Sequence, residues 1–308
     1  MINFRYHLIS LTAVFLALTV GLILGTAALN GPAVDALSET TNNLKENNQQ
    51  LRDEINTLKE ELADDQSFAT EIAPTYLADK LSGQNVLLVT LPDAEPDAVE
   101  GVEKMLGYSG AGNAGRIRLH DSFFDQATSE RLTDLAQDVT PDDMDAPVVY
   151  DGVEAAGVLL SGIATSKSGG EEVDVSEGDI TTVTEAAQAL EVLTVDQKLT
   201  GEADAVLIVG KGGASGSDAD YYNSSVATLT GAFAADAATT LAMADGGQND
   251  AMSTVRTDLA DTVSTVDNVS TTQGQVATVA ATVSLAVGSE AVALGNGDNA
   301  DSLLPESI

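Results

Sequence analysis

Three short stretches hold the residue types from which a chemical site could be built. "GKGGASGSDADYY" (Gly210 to Tyr222) follows a strand-like run and precedes a helical pattern, the place where open α/β sheets bind ligands. A phosphate-binding P-loop needs a glycine five positions before the Gly-Lys pair and a hydroxyl after the lysine. Here Ala205 and Gly212 occupy those places. Reading Gly210 and Gly212 as the start of G-x-G-x-x-G puts Ser215 in the last glycine's position. Neither pattern is met, and the stretch reads as a flexible loop. "PDDMD" (Pro141 to Asp145) offers three carboxylates to a hard cation, but the same residues suit a solvated acidic turn. His7 and His120 are the only histidines available for base catalysis, the many carboxylates cannot be sorted into an acid/base pair without three dimensions, and no G-x-S-x-G is present.

Cysteine is absent, which removes thiolate nucleophiles, thiolate metal sites and disulfides. Soft metal ions favour thiolate and thioether ligands, and borderline ones favour imidazole. The five methionines (Met1, Met105, Met144, Met243, Met252) are scattered without paired spacing. The residues therefore lead us to expect no catalytic site, no cofactor and no resident metal. The chain has 308 residues and a net charge of −35, from 13 basic and 48 acidic side chains. Such a surface repels nucleic acid and anionic lipid and attracts cations and basic partners, so no nucleic-acid partner is expected.

What remains is elements that position something other than a reaction. Leu8 to Leu29 is a 22-residue run without charge, spanning about 33 Å as a helix, the thickness of a bilayer core. A secretory signal competes, with Gly25-Thr26-Ala27-Ala28 as a small-residue cleavage site, but signal cores are shorter and the length favours an anchor that stays. Arg5 precedes the run, while Asp35 and Glu39 follow it. The amino terminus is thus expected in the cytoplasm and everything after Leu29 outside, a single-pass cell-membrane protein. Ala13, Ala17, Gly21 and Gly25 form a ridge of small residues at every fourth position. In lipid such a ridge lets two helices approach closely, so it is a candidate pairing face.

Asn30-Gly31-Pro32 reads as a helix break. Beyond it Leu37, Leu44, Leu51 and Leu58 recur every seven residues, and Thr41, Asn48, Ile55 and Leu62 fall four later. These are the d and a positions of nearly four heptads. A buried Asn48 at a fixes register and favours two strands, and Glu54 at g complements Lys59 at e of the next heptad on a parallel partner. The expectation is a parallel coiled coil and a homodimer. Its interface is Ala13, Ala17, Gly21 and Gly25 in the membrane and Leu37, Leu44, Asn48, Leu51, Ile55, Leu58 and Leu62 outside. The competing reading is an amphipathic helix folded back on its own globular domain.

From Asn85 onward apolar runs alternate with helical patterns. Strands are expected at Asn85 to Pro92, Arg116 to Leu119, Ala203 to Gly210, Thr239 to Ala244 and Ser264 to Val269. Helices are expected near Asp97 to Leu106, Asp125 to Ala136, Ala155 to Ala164, Thr184 to Leu193, Tyr221 to Ala235, Gln248 to Leu259 and Ala277 to Val287. Ser166 to Asp179 reads as an acidic loop. Alternation of this kind predicts an α/β domain with a parallel sheet covered on both faces. The expected organisation is a short cytoplasmic terminus and anchor (1–34), coiled coil (35–72), linker (73–82) and extracytoplasmic α/β domain (83–308).

Two stretches carry a resemblance. "INFRYHLISLTAVFLALTVGLILGTAAL" with its following heptads, and "VSTVDNVSTTQGQVATVAAT" (Val263 to Thr282), resemble the actinobacterial copper-transporter family named for MctB, closest in appearance to its SteB-type cell-separation branch. The resemblance implies an amino-terminal anchor, a coiled coil and a Rossmann-like outer domain. It further implies a non-enzymatic envelope scaffold that recruits or activates a partner, such as a peptidoglycan hydrolase or a membrane cell-separation protein. The alternative it implies is a component of copper efflux or homeostasis.

Overall fold

The computed structural model describes residues 4–308 except 93, 148, 150, 213, 215–217, 247–249 and 298; for residues 28–30, 32 and 33 it describes backbone only. The chain divides into two compact units, Met1–Asp65 and Gln66–Ile308.

The first unit begins with helix α1 (Phe4–Asn30). Its segment Phe4–Ala27 has a mean hydropathy of 2.4 and no buried residue, so it is long and apolar enough to cross a membrane. Its threonines are compatible with lipid. Thr12, Thr19 and Thr26 donate their hydroxyls to the carbonyls of Leu8, Phe15 and Leu22 one turn earlier, which satisfies these three donors within the helix. Gly31 separates α1 from α2 (Pro32–Tyr76), with proline at the first helical position, where its missing N–H is no loss.

The second unit contains the last turns of α2 and an α/β sheet. In chain order the elements are β1 (Asn85–Thr90), α3 (Pro96–Ser109), β2 (Gly112–Leu119), two short 3₁₀ turns, α4 (Ser129–Val139), α5 (Gly152–Thr165), β3 (Lys167–Ser168), β4 (Glu171–Glu172) and α6 (Glu177–Ala189). They continue as β5 (Leu193–Gln197), β6 (Ala205–Gly210), α7 (Ala219–Ala234), β7 (Ala238–Met243), α8 (Ala251–Asp258), β8 (Val263–Val266), α9 (Thr272–Ala286) and β9 (Ala293–Leu294). The main sheet has the order β5-β2-β1-β6-β7-β8-β9. All its pairings are parallel except β2 with β5.

Side chains alternate across this sheet. Leu87, Val89, Val206 and Ile208 face a core completed from α4 to α8. Val86, Leu88, Leu207 and Val209 face a second core with α3 and α9. Strands buried on both faces are continuous apolar runs, which is why β1 and β6 stand out in the sequence. Ala73, Leu77 and Leu81, in the segment expected as a linker, are fully buried in the second core. Helix α9 is buried on all sides, so its small Val, Ala and Thr residues carry no amphipathic stripe.

Several local expectations are corrected. The helix expected to run to Leu193 ends at Ala189, because Glu191 takes a left-handed conformation (φ 58°) and turns the chain into β5. That strand runs antiparallel at the sheet edge, so the sheet is mostly rather than wholly parallel. The acidic loop contains a hairpin, β3 with β4, turned by Gly169 and Gly170 at positive φ. Its second half starts α6, whose Ser176 and Asp179 form a reciprocal capping box. The Ser176 bonds hold the Asp179 carboxyl below its ordinary range.

One buried ion pair ties the carboxyl-terminal tail to the sheet. Arg256 Nη2 lies 3.0 Å from Asp267 Oδ2, with side chains 4% and 3% exposed. Asp267 also accepts the backbone N–H groups of Asn296 (2.6 Å) and Gly297 (3.0 Å), while Arg256 donates to the Leu294 carbonyl in β9 (2.9 Å). Gly295 passes so close that a Cβ there would fall 2.1 Å from the Asp267 carboxylate. Removing one member of such a pair leaves an uncompensated buried charge, at a cost of about 3–5 kcal/mol. Asp267→Ala should therefore lower the unfolding free energy obtained from urea denaturation of the full chain by that order, whereas Glu177→Gln, which breaks the exposed pair with Lys198, should leave it unchanged. Equal effects in circular-dichroism melts would contradict this account of the tail.

Candidate functional site

The interface residues expected from the sequence all lie in the first unit. On α1, Ala13, Ala17 and Gly21 are exposed and Gly25 is partly so. A Cβ built at Gly21 or Gly25 meets nothing within 4 Å, so the small ridge is open along its length. On α2, Leu37, Leu44, Leu51, Ile55, Leu58 and Leu62 are 48–68% exposed, and Thr41 and Asn48 are exposed with them. The heptad positions thus share one exposed face of α2.

The second unit contains the remaining candidate chemical groups. His120, at the end of β2, is held on both ring nitrogens: Nδ1 lies 2.9 Å from the Glu191 carbonyl and Nε2 2.8 Å from Thr194 Oγ1. A carbonyl only accepts, so Nδ1 carries the proton in the neutral ring and Nε2 accepts from the threonine. Ser122 donates to the same carbonyl (2.6 Å). The arrangement fastens β2 to the edge strand. Beside it Arg116 binds Glu103 (2.8 Å) and Asp196 (3.2 Å), and Arg118 binds Asp196 (2.7 Å). Burial works against the Arg116 charge, but Glu103 and Asp196 outweigh it and raise its pKa. A cleft of about 280 Å³ between α3 and β2 has Val86, Leu88 and Leu106 in its walls, and its one carboxylate, Glu103, is engaged with Arg116.

Met105, Met144, Met243 and Met252 are each buried in the core. Met144, within Pro141 to Asp145, packs onto Gly162, and the neighbouring Asp142, Asp143 and Asp145 point to solvent. Among the described residues no three His, Asp or Glu side chains converge as a metal site would require. The Gly210 to Tyr222 loop lies in part outside the described residues. The clamp of Arg256 and Asp267 had no sequence signal, since a helix-end arginine eleven residues before a strand-end aspartate follows no recognisable spacing.

Comparison with known proteins gives a consistent result. A family model described as "Copper transport outer membrane protein, MctB" matches residues 1–305. Proteins named "Copper transporter MctB" from Mycobacterium tuberculosis and Mycobacterium bovis are each 28% identical over 312 residues, covering 98% of this chain and 99% of theirs. The protein of that name from Mycobacterium leprae is 29% identical over 316 residues, with the same coverage.

The histidine geometry is open to a direct check. Nitrogen-15 shifts of the neutral His120 ring should report the Nδ1–H form, and should still do so in Thr194→Val, because the Glu191 carbonyl sets it. An Nε2–H ring would contradict the hydrogen bonding described.

Proposed function

The chain belongs to the MctB family, and on that premise we propose that it is a non-enzymatic, membrane-anchored scaffold. In this reading α1 holds it in the membrane with its amino terminus inside. Helix α2 pairs with that of a second copy as a parallel coiled coil, and two Rossmann-like outer domains are displayed to another envelope protein. A peptidoglycan hydrolase acting in cell separation is the client that the family resemblance suggests.

The observation that carries this reading is the water-exposed ladder on α2. Burying a leucine or isoleucine side chain is worth about 1.5–3 kcal/mol, and six such side chains at heptad spacing have a common way to become buried, against the same ladder of a parallel partner. The open Ala-Gly ridge on α1 supports the same pairing in the membrane, because chains inserted in one orientation are parallel.

The test exchanges Leu44, Leu51 and Leu58 for serine in the full chain. Light scattering in detergent should give twice the chain mass for the original protein and the single mass for the variant, with the α/β circular-dichroism signature retained. Capture of the envelope partner should be lost with the dimer. An unchanged partner and unchanged phenotype in a monomeric variant would overturn the paired-scaffold reading.

A second reading, a part in copper homeostasis, is favoured by the name that the relatives carry. The buried, separated methionines and the doubly engaged His120 support an indirect part, through a partner, rather than coordination of the cargo by this chain. Calorimetry of the full protein should show only weak copper binding. A stoichiometric, submicromolar copper(I) site would overturn that division of roles.

A further inference from the structure

We infer that the flank of α2 around Lys45 and Arg52 is a docking seam for a helical segment of a partner protein that bears acidic residues at heptad spacing. The inference rests on the dimer reading above and adds the chemistry of the partner. The first unit has four basic residues, Arg5, Lys45, Arg52 and Lys59, and the last three stand seven apart at the e positions of α2. Seven residues of helix advance about 10.5 Å, so the cations form a row beside the apolar ladder.

The row is not neutralised from within its own helix. Residues three and four away from Lys45 are Thr41, Asn42, Asn48 and Gln49; those around Arg52 are Asn48, Gln49, Ile55 and Asn56. Glu46, Asp53 and Glu60 follow the three cations directly, but adjacent residues on a helix do not face each other. Among the described residues none of the three cations has an ion-pair partner.

A second copy neutralises only part of the row. In a parallel pair each g position faces the e position of the next heptad on the other chain. Glu54 meets Lys59, but Thr40 meets Lys45 and Asn47 meets Arg52. Two-fold symmetry then gives two equivalent seams, each with two uncompensated cations opposite neutral side chains. The back of the helix has the opposite sign, since Glu39, Glu46, Asp53 and Glu60 all occupy f. An acidic helix is drawn to the seam and repelled from the back, which fixes where it sits as well as what it is. Anionic lipid fits less well: α2 between 35 and 65 carries nine acidic and three basic residues, and its acidic f row would meet the headgroups.

The test uses the full chain in nanodiscs of neutral lipid and two fluorescent 28-residue amphipathic peptides, identical except for Glu or Lys at their e and g positions. The Glu peptide should bind at least tenfold more tightly at low salt, and the preference should shrink in 0.5 M NaCl, where the screening length falls to a few ångströms. Lys45→Glu with Arg52→Glu should invert the preference while light scattering still reports the dimer and circular dichroism the same helicity. Equal binding of the two peptides, or none, to a protein that is dimeric overturns the seam and leaves the scaffold reading standing. A monomeric parent protein overturns both.

Discussion

The proposed assembly depends on an apolar ladder exposed along one face of α2. Leu37, Leu44, Leu51, Ile55, Leu58 and Leu62 stand in water along one side of α2. The second unit satisfies its own apolar surface without them. Both faces of its sheet are covered, by α4 to α8 on one side and by α3 and α9 with Ala73, Leu77 and Leu81 on the other. The ladder lies in the first unit, and pairing is the proposed way to bury it. A membrane helix with an open small-residue ridge extends the same logic into lipid, where close backbone approach replaces hydrophobic gain.

The second unit, by contrast, uses many of its polar groups to hold itself together. His120 has both nitrogens occupied, Arg116 and Arg118 share Asp196, and the buried Arg256–Asp267 pair secures β9 and the tail beyond it. These groups fasten an edge strand or a terminal segment. This distribution supports reading the unit as something displayed. The strongly negative total charge favours basic partners at longer range, and Lys45, Arg52 and Lys59 on α2 are a local exception to it.

The sequence made the two ends of this account legible for different reasons. The apolar run of α1, the Gly31 break and the heptads are periodic signals that need no tertiary context, and strands β1 and β6 are unbroken apolar runs because both their faces are covered. Edge elements were hidden. Strand β5 starts after a left-handed Glu191 that no residue pattern announces, and β9 is two residues long and held by Asp267 from another element. The burial of Leu77 and Leu81 was equally hidden, because a few leucines after a long amphipathic helix look the same whether they link or pack. The cations of α2 were visible as letters, yet their meaning appears only when each is asked what faces it across a parallel pair.

The central claim, that α2 pairs in parallel and in register, has a direct test because the chain contains no cysteine. A single Leu44→Cys exchange in the full protein, expressed in its own membrane and mildly oxidised, places one thiol per chain at a d position. In an in-register parallel coil the two thiols lie close enough to bridge, which requires Cα atoms within about 7 Å. The account predicts a covalent dimer from Leu44→Cys and none from Glu46→Cys, whose side chain points away from the partner. Absence of the Leu44→Cys dimer, or equal cross-linking at both positions, would contradict it.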